Sequence, residues 1–317
     1  MQAIRNSLYA LILAKVALLI VLGAFPAGSD AASCQGDRVK VQMLGTRGPE
    51  FLDDRASTGY LLWLDDKARI IVDAGPGSLQ RFKQSKARFE DVDVLLFTHF
   101  HVDHSADFPA YIKASFFTDR DRRLYVYGPS GTAFVASAEQ FVERMIGSDA
   151  GTYPYLGNYL DPAASSSYKI EVHTLPWSLE DVGVRPVHES ADYKITAVPV
   201  HHGPFPAFGY RIEVAGCVIS VTGDMSGRLR AMPGLARGSD ILVAHNAIPE
   251  DATGVPALLH MTPSYIGEMA AEAEVRKLVL SHLMERTVGR QEETLGLIRR
   301  SYDGPVLFPK DLNVIRP

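Results

Sequence analysis

The chain predicts an α/β fold of four layers, an αββα sandwich in which two mixed β-sheets pack face to face with helices on both outer faces. Three observations carry this expectation. From residue 39 onward, short apolar runs bounded by turn clusters alternate with segments of helical spacing. The strand-like runs fall into two successive sets, and two stacked sheets with outer helices are an economical way to bury them all. Of 317 residues, 46% are hydrophobic, enough to fill a large core.

In the first set, residues 39–44, 60–64, 69–72, 94–97 and 124–127 read as strands. Turn clusters such as Asp65-Asp66, Gly75-Pro76-Gly77 and Gly128-Pro129-Ser130-Gly131 separate them. Residues 106–116 and 133–146 show helical spacing of apolar positions. In the second set, residues 168–173, 193–200, 208–214 and 217–221 read as strands, followed by a helix at 263–273, a strand at 278–280, a helix at 291–301 and a last strand at 306–308. No low-complexity linker or internal repeat divides residues 32–317, which are expected to form one domain.

Residues 1–31 carry an address rather than part of the fold. Arg5 and Lys15 precede an apolar stretch at 16–25, then Pro26 and a small-residue segment at 27–33, the layout of a secretory signal peptide. The expected cut follows Ala31, with Ser29 and Ala31 as the small residues. The apolar run is too short to span a bilayer, although from Leu8 onward it approaches the needed length if Lys15 is tolerated. The chain is therefore expected to be periplasmic or secreted, with no stable membrane insertion after cleavage. Ala32-Ser33-Cys34 only loosely resembles a lipoprotein cleavage sequence. Cys34 and Cys217 both survive the cut and could pair in an oxidising compartment, while Cys217, inside an apolar strand, reads equally well as a small buried residue. The formal net charge of −5 offers no nucleic-acid surface, and the cluster Arg120, Arg122 and Arg123 is too short to argue otherwise. A small molecule is the expected partner, with a homodimer compatible.

The chemistry begins at Thr98-His99-Phe100-His101-Val102-Asp103-His104, directly after the apolar run at 94–97. Three imidazoles and a carboxylate in one short loop are ligands that zinc-type divalent cations prefer, and without a metal the imidazoles would repel one another on protonation. In an extended segment residues two apart share a face, so His99 and His101 can address one ion. A turn at Val102 and Asp103 then lets Asp103 and His104 address a second.

Further along come VPVHHGPFPAFGYRIEV, VISVTGDMS and KLVLSHLMER, with LGTRGPE and IIVDAGPGS ahead of the histidine loop. In this order these segments resemble the metallo-β-lactamase superfamily over most of residues 39–317, closest to its ribonuclease Z and arylsulfatase-like branch. The resemblance implies the αββα sandwich, and it implies that His99, His101 and His202 hold one metal, that Asp103, His104 and His282 hold the other, and that Asp224 bridges them. His201 and His202 are adjacent, so on a strand only one can face the site. His202, immediately before Gly203 as in the family pattern, is the expected one. Asp224 after Gly223 also reads as a turn residue, and His282 at a strand end as a structural histidine; the surrounding pattern favours ligands. The superfamily would supply two divalent cations, zinc first, with manganese or iron accepted by the same ligands.

The resemblance implies a hydrolase in which a hydroxide shared by two metals attacks the scissile group, with Asp103 orienting it. His260 in LLHMTPS is similar to the His-Ser-Thr segment of the ribonuclease Z branch and is expected to protonate the leaving group; a capping or buried histidine before a helix is the plainer alternative. Two departures argue against tRNA processing. Between His202 and Asp224 there is room only for a tight pair of strands, not for a tRNA-binding arm, and the family's His-Glu-Ala-Thr element stands here as His245-Asn246-Ala247-Ile248, whose amide cannot relay a proton. The expectation is an exported binuclear hydrolase of a small phosphodiester or sulfate ester. The alternatives are a lactone or β-lactam hydrolase and a non-catalytic periplasmic metal-binding protein. Residues 147–192 are the candidate wall for the substrate, where Tyr153, Tyr155, Tyr159 and Trp177 read either as an aromatic pocket or, equally well, as ordinary core aromatics of a packed loop.

Overall fold

The computed structural model describes residues 33–317, and the predicted signal segment 1–31 and its cut site lie outside the described residues. The first sheet is built from β1 (Val39–Gly45), β2 (Gly59–Leu64), β3 (Lys67–Val72), β4 (Val94–Leu96), β5 (Leu124–Pro129) and β6 (Ile170–Leu175). The second contains β7 (Arg185–Glu189), β8 (Tyr193–His202), β9 (Phe205–Val214), β10 (Cys217–Val221), β11 (Ile241–His245), β12 (Leu278–Ser281) and β13 (Val306–Leu307), while β14 (Val314–Ile315) returns to the first sheet beside β1. Each sheet has seven strands, in the orders β14-β1-β2-β3-β4-β5-β6 and β13-β12-β11-β10-β9-β8-β7. In each, an antiparallel half changes to a parallel half, at β3 in one and at β10 in the other.

Strand alternation explains the layering. Tyr60, Leu62 and Leu64 of β2 join Phe208, Tyr210 and Ile212 of β9 in a core between the sheets, while Leu61 and Trp63 face outward. The outward side of the first sheet is covered by α1 (Ser78–Gln84), α3 (Phe108–Ser115) and α4 (Ala138–Ile146), which contribute Phe82, Tyr111 and Val142 to a second core. The second sheet is covered by α5 (Ala231–Leu235), α7 (Pro263–Glu272) and α8 (Gln291–Ile298), which contribute Leu235, Ile266 and Ile298 to a third. Two short helices, α2 (Val102–Ser105) and α6 (Val255–Leu259), lie in the loops that carry site residues. Among the described residues no helix is long and apolar enough to cross a membrane.

Several boundaries differ from expectation for local reasons. The helix expected at 106–116 is α3, which starts at Phe108 because the Asp107 carboxylate accepts from the backbone N–H of Leu79 and Pro109 suits the first helical turn. The helix expected from 133 begins at Ala138, where Ser137 and Gln140 form a capping box. β11 was not foreseen: it is buried on both faces, so it shows no alternation. β7, a half-exposed edge strand containing Pro186, was missed for the opposite reason. Arg120 is not part of a surface cluster, since it is fully buried and donates to the carbonyls of Phe89, Val92 and Arg123. Cys34 and Cys217 are joined by a disulfide, which ties the start of the described chain to β10 across 183 residues.

The aromatic wall expected within 147–192 does not form. Tyr159 is buried against Tyr168 on the outer side of the first sheet, Trp177 packs on the core between the sheets, and Tyr155 is exposed near Lys113. Tyr153 meets Tyr155 edge-on at the surface, so the four rings are divided among the surface pair, the outer side of the first sheet and the inter-sheet core, and line no common pocket.

Candidate metal centre

The site assembles at the carboxyl ends of strands from both sheets. After β4 the chain is pinned at Thr98, whose backbone N–H and hydroxyl each donate to Asp73 at 2.8 Å and whose carbonyl accepts from Phe208 of the other sheet at 2.9 Å. His99 follows at once, so its position is held by both sheets. Asp73 adopts a positive φ of 61°, an uncommon conformation for a non-glycine residue, and it also accepts from His104 Nδ1 at 2.8 Å. Asp103 and His104 lie on α2, a single helical turn rather than the plain turn expected. His202 is the last residue of β8, Asp224 follows β10, and His282 follows β12 with a φ of 56°.

All eight residues singled out in the sequence come together. Oδ2 of Asp224 is the common point: Nε2 of His99, His104, His202 and His282 lies 3.9, 3.6, 3.8 and 3.4 Å from it, and Nδ1 of His260 lies 3.8 Å away. His101 Nδ1 is 3.2 Å from His202 Nε2, and Asp103 Oδ2 is 3.2 Å from His282 Nε2 and 3.5 Å from His104 Nε2. One group of donor atoms, from His99, His101, His202 and Asp224, and another, from His104, Asp224, His245 and His282, each fall within 4.8 Å of one another. His201 stays outside, half-buried, with its Nδ1 2.7 Å from Ser226 Oγ.

The donor chemistry fits divalent cations. His99, His104 and His202 turn their Nδ1 to Thr98 Oγ1, Asp73 and the Leu259 carbonyl at 3.1, 2.8 and 2.9 Å, so each ring donates outward and directs an Nε2 lone pair inward. The Nε2 atoms of His99 and His104 are buried without any hydrogen-bond partner. Burial holds His99 well below the ordinary imidazole range and pushes His202 down to about 4, so these rings are neutral at pH 7. For His104 and His282 burial acts the same way, but the carboxylates of Asp103 and Asp224 outweigh it and raise both. Burial would raise Asp103 and Asp224, and the surrounding imidazoles reverse that and hold both below the usual carboxylate range. Two buried carboxylates close enough to repel each other, ringed by imidazoles, call for positive charge of the kind a bound divalent cation would supply.

Asp73 and Tyr60 were not singled out from the sequence, and His245 was noted only as the first residue of the altered His-Asn-Ala-Ile element. Asp73 orients His104 and Thr98; its signal was its place just after an apolar strand. His245 and Tyr60 form a hydrogen-bonded pair behind Asp224, which nothing local to either residue reveals. The Asn246 side chain, buried beside them, has no hydrogen-bond partner on either its oxygen or its nitrogen.

Comparison with known proteins follows the same lines. The beta-lactamase superfamily domain matches residues 68–283. An uncharacterized protein of Mycobacterium tuberculosis is 30% identical over 271 residues, spanning 84% of this chain and 88% of that protein. A ribonuclease Z of Mycolicibacterium paratuberculosis is 27% identical over 291 residues, spanning 88% of this chain and 98% of the relative. Among solved structures, the metallo-beta-lactamase fold protein YhfI from Bacillus subtilis superposes with a TM-score of 0.68 at 21% identity, covering 88% of this chain and 99% of that one.

Proposed function

This chain belongs to the metallo-β-lactamase superfamily, and from that premise we propose that it is an exported hydrolase of two divalent cations that cleaves a small phosphodiester. The observation that carries the reading is the convergence of five imidazoles on one buried carboxylate oxygen, Asp224 Oδ2, with Asp103 and His101 beside it. His99, His101 and His202 would hold one cation, Asp103, His104 and His282 the other, with Asp224 between them. Zinc is the first candidate, and manganese or iron suits the same nitrogen and oxygen donors. When bound, the cations would lower the pKa of a water and polarise the ester oxygen.

The remaining work falls to side chains. Asp103, held as a carboxylate, accepts a proton's hydrogen bond from the attacking water at Oδ2 and so aims it. Burial pushes His260 down to about 3, so at neutral pH its ring is uncharged and can hydrogen-bond the departing oxygen but is not the acid expected from the sequence, and the proton for that oxygen would come from solvent. Beside Asp103 opens a cavity of about 600 Å³, lined by Phe51, Arg55, Gln80, Arg81 and Val102. This cavity replaces residues 147–192 as the wall for the body of the ester. Phe51 is fully exposed and Val102 largely so, an apolar rim suited to an aryl or other planar group.

A phosphodiester is placed ahead of a sulfate ester, a lactone or a β-lactam because ribonuclease Z stands among the relatives. The same relative leans against the expectation that nucleic acid is excluded, so a short RNA is the second substrate reading. The Cys34–Cys217 disulfide supports export, since such bonds persist in oxidising compartments. The test is a panel run on zinc-loaded and manganese-loaded mature protein: bis(p-nitrophenyl) phosphate, an aryl sulfate, a short RNA, a lactone and nitrocefin. Turnover of the phosphodiester, abolished by a chelator and restored by metal, is the expected outcome. Opening of lactone or nitrocefin without phosphodiester turnover overturns the substrate class.

A further inference from the structure

Behind the cluster a hydrogen-bond chain runs from Asp224 through His245 to Tyr60. Asp224 turns Oδ2 to the imidazoles, while its Oδ1 lies 2.7 Å from His245 Nδ1. The other nitrogen of that ring, Nε2, lies 2.8 Å from the hydroxyl of Tyr60. All three side chains are buried. Tyr60 stands on the inner face of the first sheet and His245 at the end of β11 in the second, so the chain crosses between the sheets.

The proton positions follow from the partners. A carboxylate oxygen can only accept, so the hydrogen between His245 and Asp224 sits on Nδ1. A neutral imidazole carrying its proton on Nδ1 has a lone pair on Nε2, and the phenol of Tyr60 is the donor that fills it. With the opposite tautomer, Nδ1 would present a lone pair to the Asp224 oxygen, and the two would repel.

We infer that Tyr60 and His245 are a positioning pair: Tyr60 locks the His245 tautomer, and His245 holds Asp224 so that a single carboxylate oxygen faces the two cations. His245 then stands outside the coordination shell. Its ring atoms come within reach of the group formed by His104, Asp224 and His282, yet both nitrogens are already engaged, and ligation would break one of the two bonds. The inference rests on the metal-dependent reading above and adds to it which residues set the geometry of the shared carboxylate.

The test reads metal affinity and tautomer rather than turnover. Zinc affinity is measured by competition with a chromophoric chelator for the full mature protein and for Tyr60→Phe, His245→Ala and His245→Asn. Loss of an outer partner of this kind weakens metal binding about 10–100-fold, which is the effect expected for Tyr60→Phe and His245→Ala. His245→Asn keeps an N–H near the Nδ1 position and is expected to retain more affinity than His245→Ala. In the zinc-loaded wild type, ¹⁵N correlation spectra are expected to show the His245 proton on Nδ1. Tyr60→Phe removes one oxygen and keeps the ring, and the tautomer measurement needs no variant, so a folding defect in one substitution leaves the inference open to refutation. Wild-type zinc affinity in Tyr60→Phe, equal losses in His245→Asn and His245→Ala, or a proton on Nε2 would each overturn it. A wild type that binds no zinc would instead remove the functional reading on which it rests.

Discussion

At the scale of single residues, the difference between neighbours is the informative quantity. His201 and His202 share the end of β8, but His202 is fully buried with Nε2 3.2 Å from His101, whereas His201 bonds only to Ser226 Oγ. On the proposed assignment, replacing His202 by Ala is expected to lower metal content and to abolish turnover, since His202 belongs to the donor group of His99, His101 and Asp224. Replacing His201 by Ala is expected to cost only about 1 kcal/mol of stability through its lost hydrogen bond, with metal content unchanged. Metal analysis of the two purified variants checks this, and equal losses would refute the assignment of faces. Asp224→Ala is the stronger case, because one oxygen faces both donor groups. It is expected to weaken both cations by at least about 100-fold, read as metal content after dialysis.

At the scale of elements, the site depends on loops that are held from behind. Gly48, in the loop after β1, leaves no room for a side chain: a Cβ there would lie 2.8 Å from Cε1 of His282 and 3.1 Å from Cγ of Met284. His282 cannot yield without leaving the cluster. On the proposed two-cation reading, Gly48→Ala is therefore expected to lower the metal content by about one equivalent, with a stability cost of about 1–3 kcal/mol from overpacking. Unchanged stoichiometry would mean the loop, rather than the histidine, gives way. The same loop continues into Phe51 and Arg55, so the wall of the cavity and the support of a ligand are one segment.

At the scale of the molecule, the disulfide closes a loop across 183 residues, from the first described residues to β10, the strand that leads into Asp224. Cys34→Ser is expected to lower stability by about 2–5 kcal/mol, seen as a lower thermal midpoint. Reductant should produce the same drop in the wild type and none in the variant; a wild type insensitive to reductant would refute it. The two sheets repeat one plan, antiparallel then parallel, and in each the strands flanking the change carry site residues at their ends: Asp73 and His99 after β3 and β4, Asp224 and His245 at β10 and β11. Ligand sites outside the carboxyl ends of strands, where the connectivity changes, are the general expectation for α/β sheets.

The amino-acid order alone determined the layered α/β architecture and the histidine loop, and the resemblance it carries pointed to His202, Asp224, His260 and His282. The signals for the fold and the loop are local, alternation along strands and imidazoles packed within seven consecutive residues from Thr98 to His104, while the distal residues are marked only by the order of the family-like segments. Only the tertiary structure decided that Tyr60 stands behind His245, that Gly48 abuts His282, that Cys34 meets Cys217, and that residues 49–57 rather than 147–192 border the cavity. Each of these pairings joins segments far apart in the chain, and it is set by how the two sheets pack, a property that no window of sequence contains.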